Sequence, residues 1–179
     1  MRVAVVGTSG AGKSTLARQV ASALHLNYIE LDAINWQAGW RDLNTYDQEG
    51  FRNKTAQAVA GEAWVCDGNY GVVRPIVWAR ATHIVWLDYS RSVVMRRAVW
   101  RTLLRLMDRR ELWAGTGNRE PFSRLFSKEG TIRWAWDSWK GVRTTYEVMT
   151  ADPANRHLKV LRLRHPREAR NVIDRLDQC

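Results

Sequence analysis

The sequence lacks the features that mark secreted, membrane and multidomain proteins. It has only two cysteines, and neither Cys66 nor the terminal Cys179 has the spacing or context of a disulfide framework or a metal site. No apolar run approaches the roughly 18 residues that span a bilayer, and no charged-then-apolar leader precedes Arg2. No linker rich in proline, glycine or serine divides the chain. We therefore expect one soluble, cytoplasmic domain over residues 1–179, without a membrane partner.

Acidic residues are too few in the second half of the chain to balance its basic ones. Residues 1–90 contain 8 Lys/Arg and 8 Asp/Glu, whereas residues 91–179 contain 20 and 10. The net charge of +10 therefore lies entirely in the second half, and most of its basic residues are arginines. The guanidinium group offers a rigid fork of donors that suits phosphate oxygens. This bias favours the handling of phosphoryl groups, although each arginine taken singly is expected to be solvated.

Short apolar runs alternate with stretches that have helical periodicity. The runs predict strands at residues 3–6, 27–32, 63–67, 83–88 and 158–163. Helices are predicted at residues 13–24, at 45–61 behind a capping box of Thr45 and Gln48, at 92–107, and from Pro166 onward. Such alternation predicts a parallel sheet covered on both faces. Ligands bind at the carboxyl ends of such strands, which are marked here by Gly7, Asp32, Asp67, Asp88 and Arg164.

A phosphate-binding pattern, G-x-x-x-x-G-K-[ST], lies between the first predicted strand and the first predicted helix. The residues expected to bind a nucleoside triphosphate are Gly7, Ser9, Gly10, Ala11, Gly12, Lys13, Ser14 and Thr15. The glycines let backbone N–H groups point into one concavity at the helix N-terminus. Lys13 can reach the β- and γ-phosphates, and the Ser14 hydroxyl can coordinate Mg²⁺. The alternative is a glycine-rich turn without a ligand, and a dinucleotide site fits less well because it requires G-x-G-x-x-G.

Three aspartates end predicted strands beside this loop. Asp67 is expected to hold Mg²⁺ through water, as the corresponding acid does in many phosphate-loop enzymes, or else to serve in a loop or helix cap. Asp32 is expected to act as a base or orienting group for the acceptor. Asp88 precedes Tyr89-Ser90-Arg91-Ser92, a sequence typical of a helix start, so helix capping is favoured there.

Arginines recur on the helix predicted at residues 92–107. Arg97, Arg101 and Arg105 are spaced four residues apart and therefore share one face. Three glycines and one proline follow between residues 114 and 130. We predict an arginine-rich lid at about residues 108–130, whose closure neutralises charge on the transferring group and excludes water. The alternative is a solvated basic face beside a disordered loop.

The ten tryptophans are unusually many for a chain of this length. Trp64, Trp78 and Trp86 lie in or beside apolar segments, so we expect them in the core. Trp36 and Trp40 follow Asp32 in a predicted loop, where an indole ring can stack on a nucleotide base. Packing of the two rings beneath that loop is the favoured alternative.

Several segments resemble the adenylate-kinase-like proteins labelled DNA topology modulation proteins. They are the phosphate loop, Leu31-Asp32-Ala33 with Trp36, Gly39-Trp40, Trp64-Val65-Cys66-Asp67-Gly68-Asn69-Tyr70, the arginine-rich helix and residues 158–164. The resemblance covers essentially the whole chain. It implies an α/β, three-layer phosphate-loop fold of the nucleoside-monophosphate-kinase type. It also implies a five-stranded parallel sheet in the order 2-3-1-4-5.

Two details of the resemblance concern individual residues. Asp67-Gly68 is similar to the Asp-Gly of adenylate kinases, which implies the Mg²⁺ role for Asp67. Adenylate kinases continue with Phe-Pro-Arg, whereas this chain continues with Asn69-Tyr70-Gly71, and its next arginine is Arg74. By position, Arg164 and Pro166 resemble the loop that packs against the adenine.

These observations predict an ATP- and Mg²⁺-dependent kinase that acts on a small acceptor, with a nucleotide or nucleoside preferred. Its catalytic residues would be Lys13, Asp32, Asp67, Arg97, Arg101 and Arg105, with Ser14 and Asp67 at the metal. Phosphoryl transfer depends on positioning and charge neutralisation, so it needs no Ser-His-Asp or Cys-His arrangement. The alternative is a regulatory ATPase that binds nucleic acid and affects DNA topology, because clustered arginines attract phosphate backbones. The arginine-rich stretch coincides with the place where a kinase lid belongs, and this position favours the kinase. The sequence leaves the oligomeric state open.

Overall fold

The central element is a five-stranded parallel sheet. A computed structural model describes residues 1–68, 70–108, 111–119 and 131–177. The sheet contains β1 (Arg2–Gly7), β2 (Asn27–Glu30), β5 (Trp64–Asp67), β6 (His83–Leu87) and β7 (Lys159–Leu163). Their order across the sheet is β2-β5-β1-β6-β7, which is 2-3-1-4-5 when these five strands are counted along the chain. The predicted strand order is confirmed. Two short strands, β3 (Trp36–Gln37) and β4 (Arg41–Asp42), form a separate antiparallel hairpin.

Helices cover both faces of the sheet, as the alternation of elements predicts. They are α1 (Lys13–Ala23), α2 (Leu31–Asn35), α3 (Leu43–Tyr46), α4 (Gln48–Ala58), α5 (Arg74–Arg80), α6 (Arg91–Asp108), α7 (Thr131–Ala151) and α8 (Val172–Asp177). A 3₁₀ turn at Pro166–Asn171 precedes α8 and places Pro166 at its first position. Among the described residues, no helix is long and apolar enough to cross a membrane.

The side chains of β1 show why this sheet needs two covering layers. Val3 and Val5 point to the face covered by α1, whereas Ala4 and Val6 point to the opposite face. All four are at most 3% exposed. A parallel strand with an unbroken apolar run is buried on both sides. The tryptophans expected in the core are also buried, with Trp64, Trp78 and Trp86 at most 3% exposed, so that prediction is confirmed.

Two predicted boundaries differ from the structure. Strand β2 ends at Glu30, and Asp32 lies in α2 instead of at the strand end. The helix predicted at 45–61 is divided into α3 and α4, and no capping box forms at Thr45. Instead the Asp47 carboxylate caps α4 by accepting a hydrogen bond from the Gly50 backbone N–H at 2.9 Å. Aspartate is preferred over threonine as an N-cap residue. Asp47 is both the C-cap of α3 and the N-cap of α4.

Candidate active site

The phosphate loop follows β1 and opens directly into α1. Gly12 is the N-cap of α1 with a φ of 98°, a conformation that residues with a side chain rarely adopt. It provides no side-chain cap, so the first N–H groups of α1 remain available to a phosphate. Gly10 lies against α6, where an added Cβ would approach the Ala98 Cβ to 2.9 Å. The geometry therefore fits a phosphate cradle that is packed against the arginine-bearing helix.

Lys13 lies at the first position of α1, inside the loop. Its Nζ donates a hydrogen bond to the Thr8 carbonyl oxygen at 3.3 Å. Burial lowers the pKa of the Lys13 ammonium, while the carboxylates of Asp67 and Asp32 act in the opposite direction. The ammonium thus lies among two carboxylates and the loop backbone, which is a suitable place to meet phosphate oxygens.

Asp67 is the last residue of β5 and is only 3% exposed. It lies in register between Val5 of β1 and Glu30 of β2, so it is central at the carboxyl edge of the sheet. The Tyr28 hydroxyl donates a hydrogen bond to its Oδ2 at 3.3 Å. Burial raises the pKa of the Asp67 carboxyl, and the charge of Lys13 opposes this shift. A carboxylate held in this way is costly for the fold, which is typical of a functional group.

The surroundings of Asp67 fit a magnesium ion held jointly with a nucleotide. Within the described part of the chain, Asp67 Oδ1 is buried and has no hydrogen-bond partner. The Ser14 hydroxyl is close enough to lower the pKa of the same carboxyl. The described residues contain no group of three or more His, Cys, Asp or Glu that could hold a metal by themselves. Mg²⁺ usually keeps several waters and takes one or two carboxylates plus substrate phosphates, so Ser14 and Asp67 are a suitable protein contribution.

Asp32 is paired with a tyrosine that sequence analysis did not assign to the site. The Tyr70 hydroxyl donates a hydrogen bond to Asp32 Oδ1 at 2.6 Å. Burial raises the pKa of Tyr70, and the charge of Asp32 raises it further, so the phenol remains a proton donor. No sequence motif marks Tyr70 as a site residue. Its position three residues after Asp67, at the same edge of the sheet, is the signal that could have identified it.

Two of the three predicted lid arginines contact the phosphate loop itself. Arg97 Nη1 donates a hydrogen bond to the Ala11 carbonyl oxygen at 2.8 Å. Arg101 Nη2 donates one to Ser9 Oγ at 3.3 Å. The side chain of Arg105 lies outside the described residues. For Arg97 and Arg101, the alternative of a solvated basic face is therefore wrong, because both guanidinium groups lie on the loop.

Trp36 and Trp40 pack against a residue of the predicted lid. Trp113 stacks on Trp36 with ring centroids 5.8 Å apart, and it meets Trp40 edge to face at the same distance. The Asn118 side chain accepts a hydrogen bond from the Trp40 backbone N–H at 3.0 Å and donates one to the Gln37 carbonyl at 2.8 Å. Residues 111–119 are thus attached to the β3–β4 hairpin, and the two indoles are packed as favoured from sequence. Residues 109–110 and 120–130 of the predicted lid lie outside the described residues.

Asp88 has a structural role that differs from the predicted helix cap. Its carboxylate accepts hydrogen bonds from Arg162 Nε at 2.9 Å and Nη2 at 2.6 Å, and Arg143 Nε lies 3.4 Å from it. The prediction of helix capping is wrong. Arg162 lies on β7, beside the strand that Asp88 follows, so this ion pair links β6 to β7 and α7.

The turn after β7 carries the two residues matched to an adenine-contacting loop. Arg164 is exposed and Pro166 is half-buried. Between them, His165 caps the 3₁₀ turn by accepting a hydrogen bond from the Arg167 N–H through Nδ1 at 3.2 Å. Their contact with a base stays a prediction.

A small pocket opens beside the carboxyl ends of β1 and β5. Residues that line it include Leu31, Gly68, Tyr70, Arg74, Trp78 and Tyr146. Tyr70 also holds Asp32, so the pocket adjoins the carboxylate expected to orient an acceptor. The arrangement thus combines a phosphate cradle, a magnesium-compatible carboxylate, two arginines on the loop and an adjoining pocket.

Comparison with family models and with curated proteins gives matches that are named shikimate kinase. The family model described as shikimate kinase matches residues 9–112. A shikimate kinase from Nitrobacter winogradskyi is 31% identical over 107 residues, which are 53% of this chain and 50% of that protein. Another, from Mycobacterium leprae, is 33% identical over 138 residues, or 71% of this chain and 66% of that protein. The chain therefore spans about half to two thirds of the length of these curated relatives.

A solved structure supports the same fold. The shikimate kinase from Acinetobacter baumannii, in complex with shikimate, matches with a TM-score of 0.56 at 16% identity. The match covers 99% of this chain and 90% of that one. At this level of identity the likeness concerns the phosphate-loop kinase fold alone.

Proposed function

Because the chain belongs to the shikimate kinase family, we propose that it is an ATP- and Mg²⁺-dependent kinase of a small hydroxylated acceptor. The observation that carries this proposal is the convergence of Lys13, Asp67, Arg97 and Arg101 on one phosphate loop. Three positive side chains and a metal-compatible carboxylate at one loop are what a triphosphate requires. We further propose that residues 1–179 act as one kinase domain with a lid at about 108–130. An enzyme that consumes ATP would work in the cytoplasm.

The nucleotide side of the site would position the γ-phosphate and neutralise its charge. The N–H groups of the loop and Lys13 Nζ would hold the β- and γ-phosphates. Arg97 contacts the loop through Ala11 and Arg101 contacts it through Ser9, so both would place positive charge beside the same phosphates. Mg²⁺, when held by Ser14 and Asp67, would supply further charge neutralisation between the phosphates. Arg164 and Pro166 would contact the base.

The acceptor side would direct one hydroxyl group toward the γ-phosphorus. The hydroxyl oxygen forms a bond to phosphorus while the bond from phosphorus to the bridging oxygen of ADP breaks. The hydroxyl proton passes to the Asp32 carboxylate, whose Oδ1 is held by Tyr70, which leaves Oδ2 for the acceptor. In this chemistry the protein contributes mainly position and electrostatics.

Shikimate is the first acceptor to test, because the matched relatives carry that name. Nucleoside monophosphates are the second, because Asp67-Gly68 is similar to the corresponding pair in adenylate kinases. The test is a coupled assay of ADP release with shikimate, nucleoside monophosphates, nucleosides and small metabolic alcohols. We expect a rate with one acceptor at least about tenfold above the basal ATPase rate, because a correctly placed hydroxyl replaces a poorly placed water. A rate that no acceptor raises would contradict the proposal.

The two loop arginines give a prediction that separates a kinase from a DNA-binding ATPase. Arg97→Gln and Arg101→Gln should each lower kcat by about tenfold to a hundredfold, since each loses a charged donor to the loop or the phosphates. Affinity for DNA and its salt dependence should stay as in the unaltered protein. Arg96→Gln, a change to an exposed arginine of the same helix, is the matched control. Normal turnover together with a collapse of DNA affinity would support the nucleic-acid alternative, which neither the arginine contacts nor the relatives favour.

A further inference from the structure

Tyr28 lies between two carboxylates at the carboxyl edge of the sheet. Its hydroxyl oxygen is 3.3 Å from Asp67 Oδ2 and 3.2 Å from Glu30 Oε2. Tyr28 and Glu30 are two residues apart on β2, so they point to the same face, and Glu30 is paired in register with Asp67 on β5. The three side chains therefore meet on one face of the sheet, and one of them is the residue proposed to hold Mg²⁺.

The phenol of Tyr28 acts as a donor at this place. Burial raises the pKa of the Tyr28 hydroxyl, and the negative charges of Asp67 and Glu30 raise it further. The phenol thus keeps its proton beside two groups that, when ionised, can only accept hydrogen bonds. The single proton is shared between two acceptors at nearly equal distances, so a change that weakens one acceptor strengthens the bond to the other.

Arg18 of α1 weakens the acceptor that competes with Asp67. Its Nη2 donates a hydrogen bond to Glu30 Oε2 at 2.8 Å, the same oxygen that faces the phenol. Its guanidinium also lies over the Tyr28 ring, with Cζ 5.2 Å from the ring centre. Because the guanidinium already satisfies this oxygen of Glu30, the phenol proton remains available to Asp67.

The two oxygens of the Asp67 carboxylate therefore differ. Oδ2 accepts a hydrogen bond from Tyr28, whereas Oδ1 is buried and has no hydrogen-bond partner in the part of the chain that the structure describes. Asp67 can thus offer one free oxygen to a cation, but not two. Mg²⁺ requires near-octahedral geometry and keeps several waters, whereas the larger Ca²⁺ takes more oxygens and often binds both oxygens of one carboxylate. A carboxylate with one oxygen engaged therefore suits Mg²⁺ better than Ca²⁺.

We propose that Tyr28 is a positioning residue that sets a preference for Mg²⁺ over Ca²⁺ by keeping Asp67 Oδ2 occupied. This inference rests on the proposed nucleotide and Mg²⁺ site, and it identifies a residue outside the phosphate loop that tunes that site. Tyr28 acts through the carboxylate and needs no contact with the cation. Hydrogen-bond partners of metal-binding carboxylates orient their oxygens in this way.

The experiment titrates a non-hydrolysable ATP analogue into the protein by calorimetry, with Mg²⁺, with Ca²⁺ and with a chelator. The measured quantity is the dissociation constant of the analogue with Ca²⁺ divided by that with Mg²⁺. In Tyr28→Phe this ratio should fall by about tenfold, mainly because the Ca²⁺ complex becomes tighter when Oδ2 is free. The two ions carry the same charge, so a change in local charge alone would alter both constants and leave their ratio as it was.

Controls distinguish a change in cation preference from a loss of structure. Phenylalanine keeps the ring, which packs against the buried residues on the α1 side of the sheet, so Tyr28→Phe should fold. Tyr46→Phe, which removes an exposed hydroxyl from α3, is the matched control and should leave the ratio unchanged. Melting temperatures show whether each variant is folded.

Arg18→Ala tests the same arrangement from its exposed side. It frees Glu30 to compete for the phenol proton, so the ratio should fall in the same direction by about twofold to threefold, as expected for a partly exposed ion pair. This variant decides the matter if Tyr28→Phe does not fold. An unchanged ratio in the deciding variant, including one in which both complexes weaken equally, would overturn the inference.

The inference and the kinase proposal fail in different ways. If no acceptor raises ADP release but the analogue binds in a cation-dependent manner, the kinase proposal fails and the ratio still decides the role of Tyr28. Binding that is the same with Mg²⁺, with Ca²⁺ and with chelator would overturn the role of Tyr28, even if an acceptor raises ADP release.

Discussion

Lys13→Ala is expected to lower kcat/KM for ATP by about 10²–10³-fold, the loss typical of removing one preorganised donor to developing charge. Lys13 Nζ contacts the loop backbone and feels the charges of the Asp67 and Asp32 carboxylates. It is the side chain expected to reach the β- and γ-phosphates. Without it, these phosphates would face two carboxylates with less opposing charge. Steady-state assays measure the loss of turnover, and titration with a fluorescent ATP analogue measures the loss of affinity.

The fold should survive this change. Lys13 makes one long hydrogen bond to the Thr8 carbonyl, and burial of its ammonium is unfavourable, so little stability depends on it. We expect a melting temperature within a few degrees of the unaltered protein. Lys140→Ala, a change to an exposed lysine of α7, should leave activity unchanged and is the matched control. If folded Lys13→Ala binds ATP and turns it over normally, this loop is not the nucleotide site.

Asp67→Asn is expected to lower Mg²⁺-dependent turnover by about 10²–10³-fold while Mg²⁺-free nucleotide binding changes little or becomes tighter. The substitution keeps the shape of the side chain and removes its charge. In the unaltered protein, Oδ1 of Asp67 is buried and has no hydrogen-bond partner among the described residues. Titration of nucleotide with and without Mg²⁺ checks this directly. Equal losses under both conditions would identify Asp67 as a structural residue.

The stability of Asp67→Asn provides a second measurement that does not depend on activity. Burial raises the folded-state pKa of Asp67 above its unfolded value. The folded state therefore holds this proton more tightly, and the carboxylate lowers stability as the pH rises from the unfolded pKa through the folded pKa. Without Mg²⁺ at pH 7, Asp67→Asn should melt at the same temperature as the unaltered protein or at a higher one. This difference in melting temperature should shrink on acidification.

Mg²⁺ with nucleotide should raise the melting temperature of the unaltered protein more than that of Asp67→Asn. Asp152→Asn, a change in an exposed cap, is the matched control. Its melting temperature should depend on pH and on Mg²⁺ with nucleotide as that of the unaltered protein does.

Parts of the fold and of the nucleotide site could be predicted because their determinants are local. The phosphate loop depends on glycines and a lysine within eight consecutive residues, and the strands depend on short apolar runs. The position of Asp67 followed from one such run, since the last residue of a parallel strand lies at the ligand-binding edge. The strand order, by contrast, came from resemblance to known proteins, because no local pattern specifies which strands are neighbours.

Several contacts of the candidate site could not be predicted, because they join residues that are distant in the chain. Tyr70 and Asp32 are 38 residues apart, and Arg97 and Ala11 are 86 apart. Each pair meets only after the crossovers bring β1, β5 and β6 side by side and α6 packs against the loop. The same holds for Trp113 on Trp36, and for Asp88, which resembles a helix cap locally but faces Arg162 across two paired strands.

By itself, the sequence determined the phosphate loop, the alternation of strands and helices, and the tryptophans of the core, since backbone preference and apolar periodicity act within a few residues. The tertiary structure alone decided which side chains line the pocket and which meet at the candidate site. Arg74 lines a pocket with Tyr146, and Tyr70 holds Asp32, because strand register and helix packing set these distances. Register and packing arise from the burial of the whole core, which no short segment specifies.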